Sequence, residues 1–253
     1  MERKRNFIYE ETENHSSADL LHSLCEMNDV AVSDIQLRVL REFVCAIIEE
    51  NKKVNLLSRS DTANIWENHV FHSLSVIFML RFPPNSKILD LGTGGGLPGI
   101  PIGIFLPSID FTLVDSIQKK ILAVSRIVEN LNLKNIKTIR SRAEELATKH
   151  EFKNKFDFVV SRAAAPLSNL VLWTEKLLKK NSNKKSQFES KSGKLTVETG
   201  TLIAYKGGNL DSEIDEARSK HPSVQIRTIP ISFRGSEKLS LVDKKLVLVK
   251  FTQ

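Results

Sequence analysis

The 253-residue chain is predicted to be an α/β protein, a doubly wound and mostly parallel sheet preceded by an N-terminal helical extension. Three observations carry that expectation. Apolar residues recur at spacings of three and four from Ala18 to about Phe82, the period of amphipathic helices. From Lys87 onward short apolar runs alternate with helical stretches, and strict alternation implies parallel strands joined by crossovers. The first of those runs ends in a cluster of glycines, where a sheet of this kind opens its ligand crevice. The expected division is a helical region over 1–85 packed on a core over 86–253.

Within the extension, Leu20, Leu21, Leu24 and Met27 mark one helix face, and Leu37, Leu40, Phe43, Val44, Ile47 and Ile48 mark a second. Ser33 stands where the second helix needs an N-cap, since its hydroxyl can accept an otherwise orphan amide. The polar stretch from Asn51 to Asp61 reads as a connection, and Ile65 to Leu80 as a third helical run stopped by Phe82-Pro83-Pro84-Asn85. Strands are then expected from Lys87 to Leu91, Phe111 to Val114, Ile136 to Ile139 and Phe156 to Val160. Helices are expected from Pro98 to Leu106, Ile117 to Leu131, from Ala143, and from Leu167 to Leu178. Leu202 to Tyr205, Val224 to Ile229 and Leu246 to Phe251 read as closing strands.

With 41% apolar and 26% charged residues, the composition excludes wholesale disorder and a disulfide mini-protein. The longest apolar stretch, Leu97 to Ile109, is interrupted by Pro98, Pro101 and Pro107 and is shorter than the ~20 residues of a membrane-spanning helix. Arg3, Lys4 and Arg5 are followed by Glu10, Glu11 and Glu13, where a secretory signal would place its apolar region. A cytoplasmic protein with no membrane association is expected. Cys25 and Cys45 sit in apolar helical patterns outside any metal-binding spacing, so both are expected as small buried side chains in a reducing compartment. The net charge of +7 would favour a polyanionic partner. Nearly all of that excess lies between Lys176 and Lys194, where seven lysines face one glutamate, Glu189. The Lys/Ser-rich insertion over 179–199 has too little apolar surface to fold by itself, and reads as a mobile loop or an arm that contacts RNA.

The chemistry is concentrated in Ile88-Leu89-Asp90-Leu91-Gly92-Thr93-Gly94-Gly95-Gly96-Leu97-Pro98-Gly99, a strand, a glycine turn and the start of a helix. Gly94, Gly96 and Gly99 satisfy the literal dinucleotide fingerprint. A dinucleotide, however, sets its anionic pyrophosphate against a helix N-terminus and needs no carboxylate beside it. Here Asp90 precedes Gly92, Gly94 and Gly96. A negative side chain at that tip suits the ammonium and sulfonium groups of S-adenosylmethionine. Asp115 closes the next strand, where an acid commonly holds a ribose diol. The combination favours a methyltransferase over a dehydrogenase.

Two further strand ends extend the site. Arg140-Ser141-Arg142-Ala143-Glu144-Glu145 falls where an adenine ring would lie. Ser161-Arg162-Ala163-Ala164 follows the next strand without the acid or amide and paired prolines often used to orient an exocyclic amine. N7 of guanine already carries an in-plane lone pair, so its methylation requires alignment and a suitable field more than a general base. Arg162 could position the cofactor, contact guanine, or be a surface cation pairing with Asp157. His69 and His72 share one helix face, but no third metal ligand is evident and no metal is expected. Lys206 could contact a phosphate or be an ordinary exposed lysine.

The chain resembles the bacterial small-subunit ribosomal RNA guanine-N7 methyltransferase family, also called glucose-inhibited division protein B. The resemblance runs through Asn55-Leu56-Leu57, His69-Val70-Phe71-His72-Ser73, Asp90 to Pro101, Leu113-Val114-Asp115-Ser116, Ser141 to Glu145, Ser161-Arg162-Ala163 and Ala204-Tyr205-Lys206-Gly207. It implies a Rossmann-like class I methyltransferase that methylates N7 of a guanine in 16S ribosomal RNA, on the RNA or the ribosomal subunit. It also implies Gly92, Leu97, Ala143, Glu144 and Arg162 as cofactor contacts beside Asp90, Gly94, Gly96 and Asp115. The chain departs from the family at His72, where Asp is usual, in the lysine-rich insertion, and after His221. A monomer is expected. A small-molecule acceptor for the same cofactor, or a noncatalytic RNA-binding protein, are the alternatives.

Overall fold

A computed structural model describes residues 2–58, 61–62, 64–180, 190–191 and 194–251. The extension opens with α1 (Glu2–Met27) and α2 (Asp34–Asn51). Ser33 caps α2 through a reciprocal box, its hydroxyl accepting the Gln36 amide while the Gln36 side chain accepts the Ser33 amide. A π-helical turn, Trp66–Phe71, leads directly into α3 (His72–Met79), and the two-residue strand β1 (Leu80–Arg81) ends the extension.

The core alternates as the apolar runs require. It comprises β2 (Lys87–Leu91), α4 (Gly99–Phe105), β3 (Asp110–Asp115), α5 (Gln118–Asn130), β4 (Ile136–Arg140), α6 (Ala143–Thr148), β5 (Phe158–Arg162) and α7 (Leu167–Thr174). After the insertion come β6 (Ser190–Lys191), β7 (Lys194–Thr196), β8 (Thr201–Gly207), α8 (Asp211–Lys220), β9 (Val224–Pro230) and β10 (Lys244–Phe251). The main sheet has the order β4-β3-β2-β5-β8-β10-β9. Its first five strands are parallel, and β10 runs antiparallel to both neighbours. The order reverses at β2, so β2, β3 and β5 bring their carboxyl ends together at the switch point where such sheets bind ligands.

Both faces of the sheet are buried, with the period-two alternation of a strand. Ile88, Ile203, Tyr205, Leu246 and Leu248 pack in one cluster with Leu21, Phe43 and Ile47 of the extension. Leu89, Leu202, Ala204, Val247 and Val249 pack on the other face with Leu167, Leu170 and Ala217. The extension therefore packs on one side of the sheet together with α4 and α5.

Several expectations are corrected. The fourth strand begins at Phe158, because Asp157 turns its carboxylate onto the Lys87 amide at 2.8 Å and Phe156 bridges Leu178 instead. α7 stops at Thr174, and α8 has no counterpart in the apolar pattern because Ala217 is its single buried residue. Cys25 is buried, but Cys45 is exposed on the outer side of α2. Of the insertion, residues 181–189 and 192–193 lie outside the described residues. Its described part is not a loop throughout: β7 pairs with β1 and β6, and Val197 is buried. Among the described residues no helix is long and apolar enough to cross a membrane.

Candidate active site

The turn after β2 is held from behind. The amides of Gly92 and Thr93 both donate to the Val114 carbonyl on β3 at 2.9 Å. Asp90 is completely buried, and its Oδ2 accepts the Thr93 hydroxyl at 2.6 Å and the Gly99 amide at 2.9 Å. That carboxylate ties the start of the turn to the start of α4. Burial pushes its pKa up to about 6, against the pull of those two hydrogen bonds and of the nearby Arg162 charge. Its second oxygen, Oδ1, is buried without a hydrogen-bond partner.

The front of the turn is open. Gly92 and Gly94 have φ of +76° and +57°, a backbone state that other residues enter at a cost. A Cβ on Gly92 would stand 2.5 Å from the Cβ of Ala164, whereas a Cβ on Gly94 would meet nothing within 4 Å. Gly94 therefore presents bare backbone to empty space. Asp115 completes this corner: its Oδ2 accepts the Gly94 amide at 3.0 Å and its Oδ1 the Ile117 amide at 2.8 Å.

That space is a cavity of about 780 Å³, of the size that holds a cofactor with part of a substrate. Gly92, Gly94, Leu97, Asp115, Ala143, Glu144 and Arg162, all expected as cofactor contacts, line it together. Asp90 and Gly96 do not. Asp90 lies behind the turn, and a Cβ on Gly96 would strike Ile100 at 2.5 Å, so that glycine serves the fit of the turn on α4. Lys206 is also off the wall. Its ammonium donates to the Ala165 carbonyl at 2.8 Å and the Glu213 carboxylate at 2.6 Å, an internal clamp between β8 and α8 rather than an ordinary exposed lysine.

A second wall comes from the extension, α7 and the tail. Asp61, Glu67, Asn68, His69 and His72 face the cavity with Trp173, Ser240 and Lys244. Sequence reasoning did not single out Asp61, Trp173 or Lys244. Trp173 had a detectable signal, as a large aromatic one helix beyond a strand end, but Lys244 lies in the tail where the resemblance fails. Arg162 is half-buried between the walls and has no contact with Asp157, which binds Lys179 at 2.8 Å. Its guanidinium instead meets His69 Nδ1 at 2.9 Å and the Asn68 carbonyl at 3.5 Å. Burial and the Arg162 charge lower the pKa of His69 to about 4, and burial with the same charge lowers that of His72 to about 3. Among the described residues no group of three or more His, Cys, Asp or Glu side chains is placed to hold a metal ion.

The fold and this corner define a Rossmann-like α/β protein of the class I methyltransferase type, with its cavity at the sheet's switch point. Residues 36–185 match the family model described as rRNA small subunit methyltransferase G, and the chain belongs to that family. It is 43% identical over 166 residues to the ribosomal RNA small subunit methyltransferase G of Bacteroides thetaiotaomicron, a match covering 66% of this chain and 72% of that one. It is 40% identical over 205 residues to the protein of the same name from Chlorobaculum tepidum, covering 80% and 84%. Among solved structures, the [4+2]-cyclase SpnF superimposes with a TM-score of 0.50 at 13% identity over 72% of this chain and 80% of that one, a likeness of fold.

Proposed function

We propose that the chain is an S-adenosylmethionine-dependent methyltransferase acting on N7 of a guanine in 16S ribosomal RNA, as a monomer in the cytoplasm. The observation that carries the reading is the bare backbone of Gly94 facing open space beside the Asp115 carboxylate. It supplies close approach for a ligand and an acceptor for a diol, in a chain whose relatives are named ribosomal RNA methyltransferases.

Gly92, Gly94 and Leu97 would hold the aminoacyl part of the cofactor, Asp115 the ribose, and Ala143 with Glu144 the adenine. Asp90 acts from behind, by fixing the turn and by placing negative potential under it. S-adenosylmethionine supplies an electrophilic methyl group on a sulfonium. The protein has no proton to remove, because N7 attacks with a lone pair it already holds. An arginine donating to N7 would occupy that lone pair, which assigns Arg162 to the cofactor's carboxylate rather than to the N7 edge. Methyl transfer moves positive charge from sulfur to the base, and Asp61 and Glu67 on the acceptor wall stabilise charge of that sign.

Incubation with cofactor labelled in its methyl group tests the reading. The expected result is label in small-subunit RNA, recovered after digestion as N7-methylguanosine. Label confined to a low-mass product would establish a small-molecule acceptor. No transfer beside salt-sensitive RNA binding would establish a noncatalytic binder.

A further inference from the structure

Between Asp61 and Arg162 stands His69, a polar side chain at the cavity that neither the cofactor nor the acceptor assignment uses. Asp61 Oδ2 stands 3.7 Å from His69 Nε2, and His69 Nδ1 stands 2.9 Å from the guanidinium of Arg162. A guanidinium only donates, so Nδ1 must be the acceptor and the proton of a neutral imidazole must reside on Nε2, the nitrogen that faces Asp61. A doubly protonated ring would set two donors against each other at 2.9 Å. The depressed pKa of His69 agrees with the neutral form. His69 belongs to the π-helical turn Trp66–Phe71, a rare winding that occurs preferentially at functional sites. The same turn supplies Asn68, whose carbonyl is the second acceptor for Arg162.

We propose that His69, held as its Nε2–H tautomer beside Asp61, is a positioning residue that fixes the Arg162 guanidinium at the cavity. The inference rests on the reading of Arg162 as a cofactor contact. Arginine has long, flexible side-chain torsions, and an acceptor on a neighbouring element removes that freedom before the ligand arrives. The two parts come from different regions of the fold, Arg162 from the end of β5 and His69 from the extension. His69 thus contributes to cofactor binding through Arg162. The charged and titratable groups facing His69 are Arg162 from β5, Asp61 from the preceding connection and His72 from α3. Burial and the Arg162 charge hold His69 neutral, and Asp61 opposes them.

The test is a double-variant cycle on S-adenosylmethionine affinity, measured by calorimetry, with steady-state kinetics alongside. His69→Leu removes the acceptor and is expected to weaken cofactor binding roughly tenfold, the worth of one hydrogen bond to a charged group. KM for the cofactor should rise accordingly, with kcat changed less than about threefold. His69→Asn places an amide oxygen close to the position of Nδ1 and should recover most of the loss, which a role in packing alone would not allow. Combined with Arg162→Ala, His69→Leu should cost nothing further. Equal costs of His69→Leu with and without Arg162 would overturn the proposal, as would His69→Asn behaving like His69→Leu. Wild-type protein that fails to bind S-adenosylmethionine would instead overturn the functional reading on which it rests.

Discussion

The carboxylate of Asp115 accepts the main-chain amide of Gly94 at 3.0 Å, so the tip of β3 holds the turn that follows β2. Two strands adjacent in the sheet thereby share one corner. The same residue that closes the turn also presents its carboxylate to the cavity. Asp115→Ala is expected to weaken S-adenosylmethionine binding by more than tenfold, with about 1 kcal/mol lost from stability for the missing backbone anchors. Calorimetry and urea unfolding measured together separate the two. A large stability loss with unchanged affinity would reassign Asp115 to a purely structural role.

Gly92 and Gly94 share a positive φ but differ in what surrounds them. Gly94→Ala has room for its methyl group and should fold with a backbone penalty of about 1 kcal/mol, yet it fills the space the ligand needs and should abolish cofactor binding. Gly92→Ala drives a Cβ to 2.5 Å from Ala164, and its melting temperature should fall further than that of Gly94→Ala. Thermal melts of the two variants should be ranked in that order. The reverse ranking would show the turn to be oriented differently.

Asp90 carries a signature in the pH dependence of stability. Its folded pKa, about 6, lies above the ordinary value of 3.8, so the folded state binds the proton more tightly. Its contribution is most favourable below the ordinary value and is lost as pH rises through about 6. Asp90→Asn cannot titrate. Between pH 4 and pH 7 the wild type should therefore lose stability relative to Asp90→Asn, by on the order of 3 kcal/mol. Urea midpoints across that range read the difference directly. Parallel curves would mean that the carboxylate is not buried as described.

Lys206 clamps Glu213 inside the molecule, at 2.6 Å. Lys206→Met should lower stability by about 1 to 3 kcal/mol, the cost of leaving a partly exposed carboxylate without its cation. It should leave the salt dependence of RNA binding unaltered, because no phosphate contact is lost. A shallower salt slope would restore Lys206 to the RNA interface.

The alternation from Lys87 to Val160 and the glycine turn were readable because strand period, helix period and turn chemistry agree there. Residues whose backbone lines the crevice, Gly92 and Gly94, announce themselves through the missing side chain. The role of Asp90 was only half legible: its position at the strand end was clear, but whether a carboxylate points toward a ligand or back into the core depends on the packing of Thr93 and Gly99. Lys206 illustrates the same limit, since its partner Glu213 lies on α8, a helix with too little apolar surface to register as one. The contact between Arg162 and His69 joins residues 93 positions apart. No local spacing encodes it, and it emerges only when α3 and the turn before it dock on the sheet.

The most direct test is a calorimetric comparison of S-adenosylmethionine with NAD on the same wild-type protein. One mole of S-adenosylmethionine should bind per chain, Gly94→Ala should lose that binding, and NAD should give no heat. NAD binding at this corner, with S-adenosylmethionine excluded, would contradict the methyltransferase reading.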